Sequence, residues 1–300
     1  MKIELRETMP QKTAEQRANA HPPAVDLRLA HSPDSDDAFM FYALATKKIP
    51  TGNLTFTHML EDIETLNRKA STEEYDITAV SFHAYAYLSD RYILMSSGAS
   101  FGDGYGPIVV SRAPAQGGSL KGKRVAIPGA QTTAYLALRL YEPEVETIET
   151  RFDEVLDKVI KGEADAGVVI HEGQLTYGSY GLTKVVDLGA WWQSETGLPL
   201  PLGGNVIRRS LGADTIRQSD EILHASIEYA LEHREEALAY ALQFARGLEL
   251  PNAEHFVSMY VNDWTLDYGE RGRKAVQTLL DRGYQAGIIP QAITAEFVSS

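Results

Sequence analysis

Residues 73–82 read EEYDITAVSF and residues 162–171 read GEADAGVVIH. Each segment follows a helical pattern, sets an aspartate (Asp76, Asp165) just ahead of an apolar run, and ends that run on an aromatic ring, Phe82 or His171. Neither run alternates apolar with polar, so each reads as a strand buried on both faces, the signature of a parallel-type sheet. Two copies of one helix–Asp–strand unit predict two α/β lobes. Both strand ends should then face one crevice, because open α/β sheets bind ligands beyond the carboxyl ends of their strands.

Working outward, a strand at Leu27–Ala30, a polar loop through Ser32, Pro33 and Asp34, and a helix from Asp36 to Leu44 open the first lobe. A strand at Leu54–His58, a helix at Ile63–Ala70 and the strand 77–82 continue it. The stretch Ile93–Ser111 passes Gly98, Gly102, Gly104 and Gly106 before a strand at Ile108–Val110, as a connection bending between lobes would. The second lobe is predicted from a strand at Val125–Ile127, a turn at Pro128 and Gly129, a helix at Thr133–Tyr141, and a helix Phe152–Lys161 closed by Gly162. The strand Ala166–Ile170 then leads to His171. Near Leu202–Ile207 the chain crosses back, and helical spacing in Ile222–Leu242, Phe256–Val261 and Ala275–Tyr284 places the remainder on the first lobe. The expected organisation is a mobile polar extension over 1–25, lobe one from 26–112 and 202–300, and lobe two from 113–201.

Composition removes several classes of function. The chain has 300 residues, 44% hydrophobic and 23% charged, which suits a globular protein. A net charge of −13 with no basic stripe argues against nucleic acid and anionic membranes as partners. With no cysteine there is no disulfide framework, thiolate nucleophile or cysteine-ligated metal. No apolar run approaches the ~18 residues of a membrane span, and the first residues lack an apolar signal region, so a cytoplasmic location is expected. There is no P-loop and no G-x-S-x-G elbow; the glycines at 102, 104 and 106 precede a strand where a dinucleotide fingerprint needs a helix. The eight histidines have no metal-ligand spacing. No cofactor and no metal are expected.

Candidate site residues follow from position. His171 sits where a strand leaves the sheet, and a near-neutral pKa makes histidine a usable base, although a lone histidine is more often structural. Glu172, on the opposite side if strand alternation persists, is no obvious orienting partner. Thr132 and Thr133 begin a helix whose first N–H groups could hold a carboxylate; simple N-capping is the competing reading. Ser81 ends the other buried strand. Asp36, with Asp37 in the first helical turn, is favoured there by the helix dipole, and if it faces the cleft it should meet hydroxyls rather than an anion. Trp191 and Trp192 fit either an aromatic ligand or burial between lobes.

Several segments, SPDSDDAFMFYAL (32–44), SFHAYAYLSDRY (81–92), IHEGQLTY (170–177), TGLPLPLGGNVIRR (196–209) and YVNDWTLDYGERG (260–272), occur in the order found in a known family. The chain resembles, from about residue 27 to 285, the 1,4-dihydroxy-6-naphthoate synthases of the futalosine route to menaquinone. The resemblance implies a type II periplasmic-binding-protein-like fold: two lobes of mixed sheets flanked by helices with a cleft between. It implies a cofactor-independent carbon–carbon lyase that converts a small-molecule carboxylate, cyclic dehypoxanthinyl futalosine, to 1,4-dihydroxy-6-naphthoate and dihydroxyacetone. It places the general base on His171, substrate contacts on Ala79, Val80 and Ser81, and an anion-binding helix start on Thr132 and Thr133; Ser32 and Asp36 are additional cleft candidates. Two departures fall near the cleft: the family carries Lys where Ala79 stands, and CPND where residues 34–37 read DSDD. A solute receptor of the same fold and the sister chorismate dehydratases are the alternatives, the IHEGQLTY strand end being closer to the naphthoate synthases.

Overall fold

The computed structural model describes residues 23–113, 119–244 and 250–299. The extension expected over residues 1–25 lies outside this set except for 23–25, and Val25 already belongs to the first strand. Eleven strands among the described residues form two sheets. In the first, β1 (Val25–His31), β2 (Leu54–Leu60) and β3 (Ile77–Ser81) run parallel, in the order β2-β1-β3. The strand Leu200–Arg208 (β11) lies antiparallel against β3 and carries β4 (Tyr92–Leu94) and β5 (Ser100–Gly102) on its far side. The second sheet comprises β6 (Ile108–Ser111), β7 (Arg124–Ile127), β8 (Glu146–Glu149), β9 (Ala166–Val169) and β10 (Thr183–Asp187), in the order β10-β6-β9-β7-β8.

The repeated sequence unit recurs as repeated geometry. β3 lies between parallel β1 and antiparallel β11, and β9 lies between parallel β7 and antiparallel β6. All residues of both strands are buried. The two aspartates do one job twice. The Arg28 N–H donates to Asp76 Oδ2 at 2.8 Å while the Asp76 N–H donates to Arg28 O at 3.0 Å. The Arg124 N–H donates to Asp165 Oδ2 at 3.0 Å while the Asp165 N–H donates to Arg124 O at 2.8 Å. Each carboxylate thus ties the start of its strand to the parallel neighbour, and each meets a guanidinium, Arg208 at 2.5 Å for Asp76 and Arg124 at 3.1 Å for Asp165. The Arg124 side chain, and then its N–H, hold Asp165 below the usual carboxylate range.

Three expectations change. The strand 108–111, assigned from sequence to lobe one, pairs with β9 and β10 in the second sheet, because its run of four buried residues completes that sheet's antiparallel side. The helix expected over 36–44 is two short helices, Ser35–Met40 and Tyr42–Ala45, meeting at Phe41. The C-terminal helices do not all keep to the first sheet. Ala213–Glu232 packs on the helices of 35–45, whereas Gly269–Gln285 also touches the helix Thr133–Tyr141, with Leu136 near Gly283. Val276, Leu279 and Leu280 of that helix are buried in a core that also holds Val80, Val125 and Leu136, so apolar packing is continuous between the sheets. Each such leucine contributes roughly 1.5–3 kcal/mol.

The sheets are also joined at one rim. Glu64, on the helix Ile63–Ala70, accepts from the Gln131 N–H at 3.2 Å and pairs with Arg68 at 3.2 Å, and Arg68 reaches Glu149 of β8. Gly129 has φ of 152°, and a Cβ there would fall 2.3 Å from Glu64 Oε2. Only glycine lets the carboxylate come that close to the backbone.

Candidate active site

A cavity of about 830 Å³, its open mouth included, lies between the two sheets. Ser32, Asp36, Ala79, Val80, Ser81, Thr132 and Thr133 all line it. The residues nominated from sequence therefore converge, with one exception. His171 is not on the cavity wall, although Ile170 before it and Gln174 after it are.

The reason is local. β9 stops at Val169, one residue short of the expected end, and the chain turns through His171, Glu172 and Gly173. The Gly173 N–H donates to His171 Nδ1 at 2.9 Å, so that nitrogen holds a lone pair and Nε2 carries the proton, which it donates to Phe152 O at 3.1 Å. The ring stands edge to face with Phe152 at 5.6 Å. Because the strand has ended, alternation no longer applies to Glu172 either. It is buried, and its charge acts on Asp36 at the cavity instead of facing away.

One end of the cavity is acidic. Asp34, Asp36 and Asp37 lie at the start of the helix Ser35–Met40 and all line the wall. Burial raises Asp36 well above the ordinary carboxylate range, and the charges of Asp37, Asp34 and Glu172 add to the rise. Burial pushes Asp37 up to about 7 against the hydrogen bonds of Ser32, whose N–H donates to Asp37 Oδ2 at 2.7 Å. Carboxylates crowded in this way cannot all ionise near neutral pH; they present acceptors and O–H donors together, which suits hydroxyl groups and repels anions. Behind them, His31 Nδ1 donates to Ser32 O at 2.9 Å, Nε2 faces His58 Nδ1 at 3.1 Å, and burial lowers His31 to about 3. The ring is neutral and stacks on Phe41 at 4.4 Å.

The opposite character appears at the helix Thr133–Tyr141. Thr132 caps it, accepting from the Tyr135 N–H at 3.2 Å and donating to Gly129 O at 2.8 Å. The Thr133 hydroxyl accepts from the His83 N–H at 3.2 Å. The capping reading therefore holds for Thr132, while the Thr133 hydroxyl, an acceptor for His83, keeps its own O–H at the cavity wall. The first N–H groups of a nine-residue helix, which have no intrahelical partner, remain at the cavity wall with the positive end of the helix dipole behind them. Ile63, Ala79, Val80, Pro107, Leu202 and Phe256 add apolar surface to the same wall. The cavity is bipolar in its chemistry, combining a donor-rich helix start for a carboxylate, an acidic cluster for hydroxyls, and apolar surface suited to a flat body.

Several polar residues of the site escaped the sequence reading, Ser100 among them. Asn67 holds Ser81 twice, through Oδ1 from the Ser81 N–H at 2.9 Å and through Nδ2 to the Ser81 hydroxyl at 3.2 Å. An asparagine on the buried face of the helix Ile63–Ala70 was the available signal. Tyr260 donates to Gln174 Oε1 at 2.7 Å, joining the helix Leu250–Tyr260 to the segment after β9, and both side chains line the cavity. Asn205 of β11 also lines it. Trp192, in contrast, is fully buried with its N–H on Pro199 O, so burial is the correct reading of that residue. Among the described residues no group of three or more His, Asp or Glu is placed to hold a metal ion, and no helix is long and apolar enough to cross a membrane.

Comparison with known proteins adds the chemistry's context. A 1,4-dihydroxy-6-naphthoate synthase of Thermus thermophilus is 45% identical over 262 residues, 87% of this chain and 95% of the relative. One from Streptomyces coelicolor is 36% identical over 270 residues, 88% of this chain and 95% of the relative. A crystal structure of an Archaeoglobus fulgidus protein superposes with a TM-score of 0.84 at 47% identity, covering 88% of this chain and 98% of that one. The alkanesulfonate-binding protein of Xanthomonas axonopodis, at 14% identity and a TM-score of 0.67 over 91% of this chain and 97% of its own, shares the fold alone, which is that of the periplasmic binding proteins. A sequence profile described as menaquinone biosynthesis matches residues 27–285, and with these relatives it establishes that the chain belongs to the menaquinone biosynthesis family, as an enzyme similar to the 1,4-dihydroxy-6-naphthoate synthases.

Proposed function

We propose that this enzyme cleaves cyclic dehypoxanthinyl futalosine to 1,4-dihydroxy-6-naphthoate and dihydroxyacetone, with His171 as general base. The bipolar cavity is the observation that carries this reading. The substrate joins an aromatic carboxylate to a hydroxylated sugar-derived part. The helix start at Thr132–Ala134 suits the carboxylate, the apolar surface suits the ring, and Asp36 suits the hydroxyls. Base catalysis requires the His171 ring to leave Gly173 and Phe152 and turn toward the cavity beside Ile170, giving up two neutral hydrogen bonds worth about 1 kcal/mol each. His171 then takes a proton from a sugar-derived hydroxyl, the adjoining carbon–carbon bond breaks, and aromatisation of the naphthoate ring drives the fragmentation. Protonated Asp36 can return a proton to the departing fragment. Incubating the purified protein with the cyclic substrate and separating the products by liquid chromatography should give the dihydroxynaphthoate and a three-carbon fragment in equal amounts. Binding of the substrate without either product would point to a solute receptor and overturn the proposal.

The bond between Tyr260 and Gln174 joins the helix Leu250–Tyr260 to the segment after β9 within the cavity wall. Replacing Tyr260 with Phe leaves a buried amide oxygen unpaired, a loss of about 1–3 kcal/mol. Steady-state kinetics should register a rise in KM of at least several-fold with a smaller change in kcat; an unchanged KM would mean that the contact does not shape the binding wall.

A further inference from the structure

We infer that Asn205 reads a ring hydroxyl of the bound naphthoate, an inference that rests on the function proposed above. Asn205 is 1% exposed, lies on the cavity wall and pairs directly with Ala79 across β11 and β3, so the two side chains share a face of the sheet. Its amide orientation is fixed. Nδ2 donates to Gly98 O at 2.9 Å, and Gly98, at φ of 82°, approaches so closely that a Cβ there would meet Nδ2 at 2.3 Å. With Nδ2 committed, Oδ1 is a buried acceptor that has no hydrogen-bond partner among the described residues. A buried polar atom without a partner costs stability, and a preorganised acceptor on a cavity-lining residue regains that cost when a ligand supplies a donor.

The donor is a ring hydroxyl because of where Asn205 stands. β11 is two strands from β1, a backbone separation of roughly 10 Å at about 4.8 Å per strand, and the acidic cluster follows the end of β1, so the amide stands on a different part of the sheet from the groups suited to the sugar-derived part. Its neighbours on the wall are Ala79, Leu202, Gly203 and Gly204, which make a flat, uncharged surface suited to a fused ring. A carboxylate would be repelled by Oδ1, whereas a phenolic O–H is the donor it requires.

Isothermal titration calorimetry with four probes tests this: 1,4-dihydroxy-6-naphthoate, its two monohydroxy analogues and unsubstituted 2-naphthoate. The wild-type protein should bind the dihydroxy compound about tenfold more tightly than the one analogue that lacks the hydroxyl read by Asn205, because that analogue leaves the buried acceptor unpaired. Asn205→Leu, of similar size but without polar atoms, should weaken the dihydroxy compound about tenfold and the matched analogue by less than about twofold. Should the leucine variant not fold, Asn205→Ser supplies the same comparison, and the wild-type arm needs no variant. Equal losses on all four probes would mean a structural role and overturn the assignment, as would equal binding of all four by the wild type. Turnover of the cyclic substrate without binding of any naphthoate overturns the assignment alone; absence of both turnover and binding overturns the functional reading itself.

Discussion

Replacing His171 with Asn is expected to lower kcat by about 10² to 10⁴ while KM moves no more than a few-fold, the ordinary value of one positioned general base. Asparagine suits the test because its Oδ1 can accept the Gly173 N–H as Nδ1 does, so the turn after β9 keeps its closing bond and the variant should remain folded. What disappears is the only titratable ring at the strand end between Ile170 and Gln174, two residues that line the cavity. Single-turnover measurement separates chemistry from product release, and a melting curve close to that of the wild type excludes misfolding as the cause. Near-normal turnover in the folded variant would sink the assignment of His171. It would direct attention to Asp36, the carboxyl group already at the cavity wall with its pKa raised by burial and by neighbouring charge.

The contrast between these two residues marks what sequence can and cannot say about this site. The fold was legible where local chemistry decides it. The helices Ile63–Ala70 and Thr133–Tyr141 begin and end as expected because Asp62 and Thr132 cap them through side-chain oxygens. Asp76 and Asp165 announced twin strands because they make the same pair of bonds at both strand starts. β8, with the sequence ETIE and mostly exposed, was invisible, since it is held by its ladder to β7 rather than by any apolar pattern of its own. The convergence of Asp36, Ser81 and Thr132 followed from a strand end and helix starts, which period and capping reveal, whereas Ala79 and Ser32 were pointed to by the family resemblance. The direction of the His171 ring depends on a turn one residue earlier than expected, a shift too small for periodicity to resolve. Asn205 was hidden for another reason: its role depends on Gly98, 107 positions away in the chain.

The second large effect concerns stability. His31 and Asp37 meet on either side of Ser32, and folding shifts them in opposite directions, His31 from 6.5 down to about 3 and Asp37 from 3.8 up to about 7. A depressed histidine contributes stability that is complete above its unfolded value and is lost as pH falls from about 6.5 towards 3. A raised aspartate contributes stability that is complete below its unfolded value and is lost as pH rises from about 4 through 7. Between about pH 4 and 6.5 the unfolded chain carries a proton on His31 and none on Asp37, and the folded protein carries the reverse. Equal proton counts mean that this pair adds no slope to stability in that window. Each single variant should expose the slope its partner hides. In Asp37→Asn only His31 remains, so stability relative to wild type should rise with pH by about 1.4 kcal/mol per unit; in His31→Asn only Asp37 remains, and stability relative to wild type should fall at the same rate. Asp36 titrates with the sign of Asp37; burial, the larger cause of its rise, is kept in Asp37→Asn and holds it raised there although the Asp37 charge is gone. His58 and His83 titrate with the sign of His31 and are common to all three proteins. Urea unfolding at pH 4.5, 5.5 and 6.5 reads the differences directly, with a divergence between the two variants of about 5 kcal/mol across the range, twice the two-unit slope of one group. Parallel curves for the three proteins would show that the two groups do not exchange their protons on folding. Opposite slopes would establish that the acidic end of the cavity is kept in a low-charge state by folding itself, with an uncharged imidazole and a protonated carboxyl group on the two sides of Ser32, before any ligand arrives.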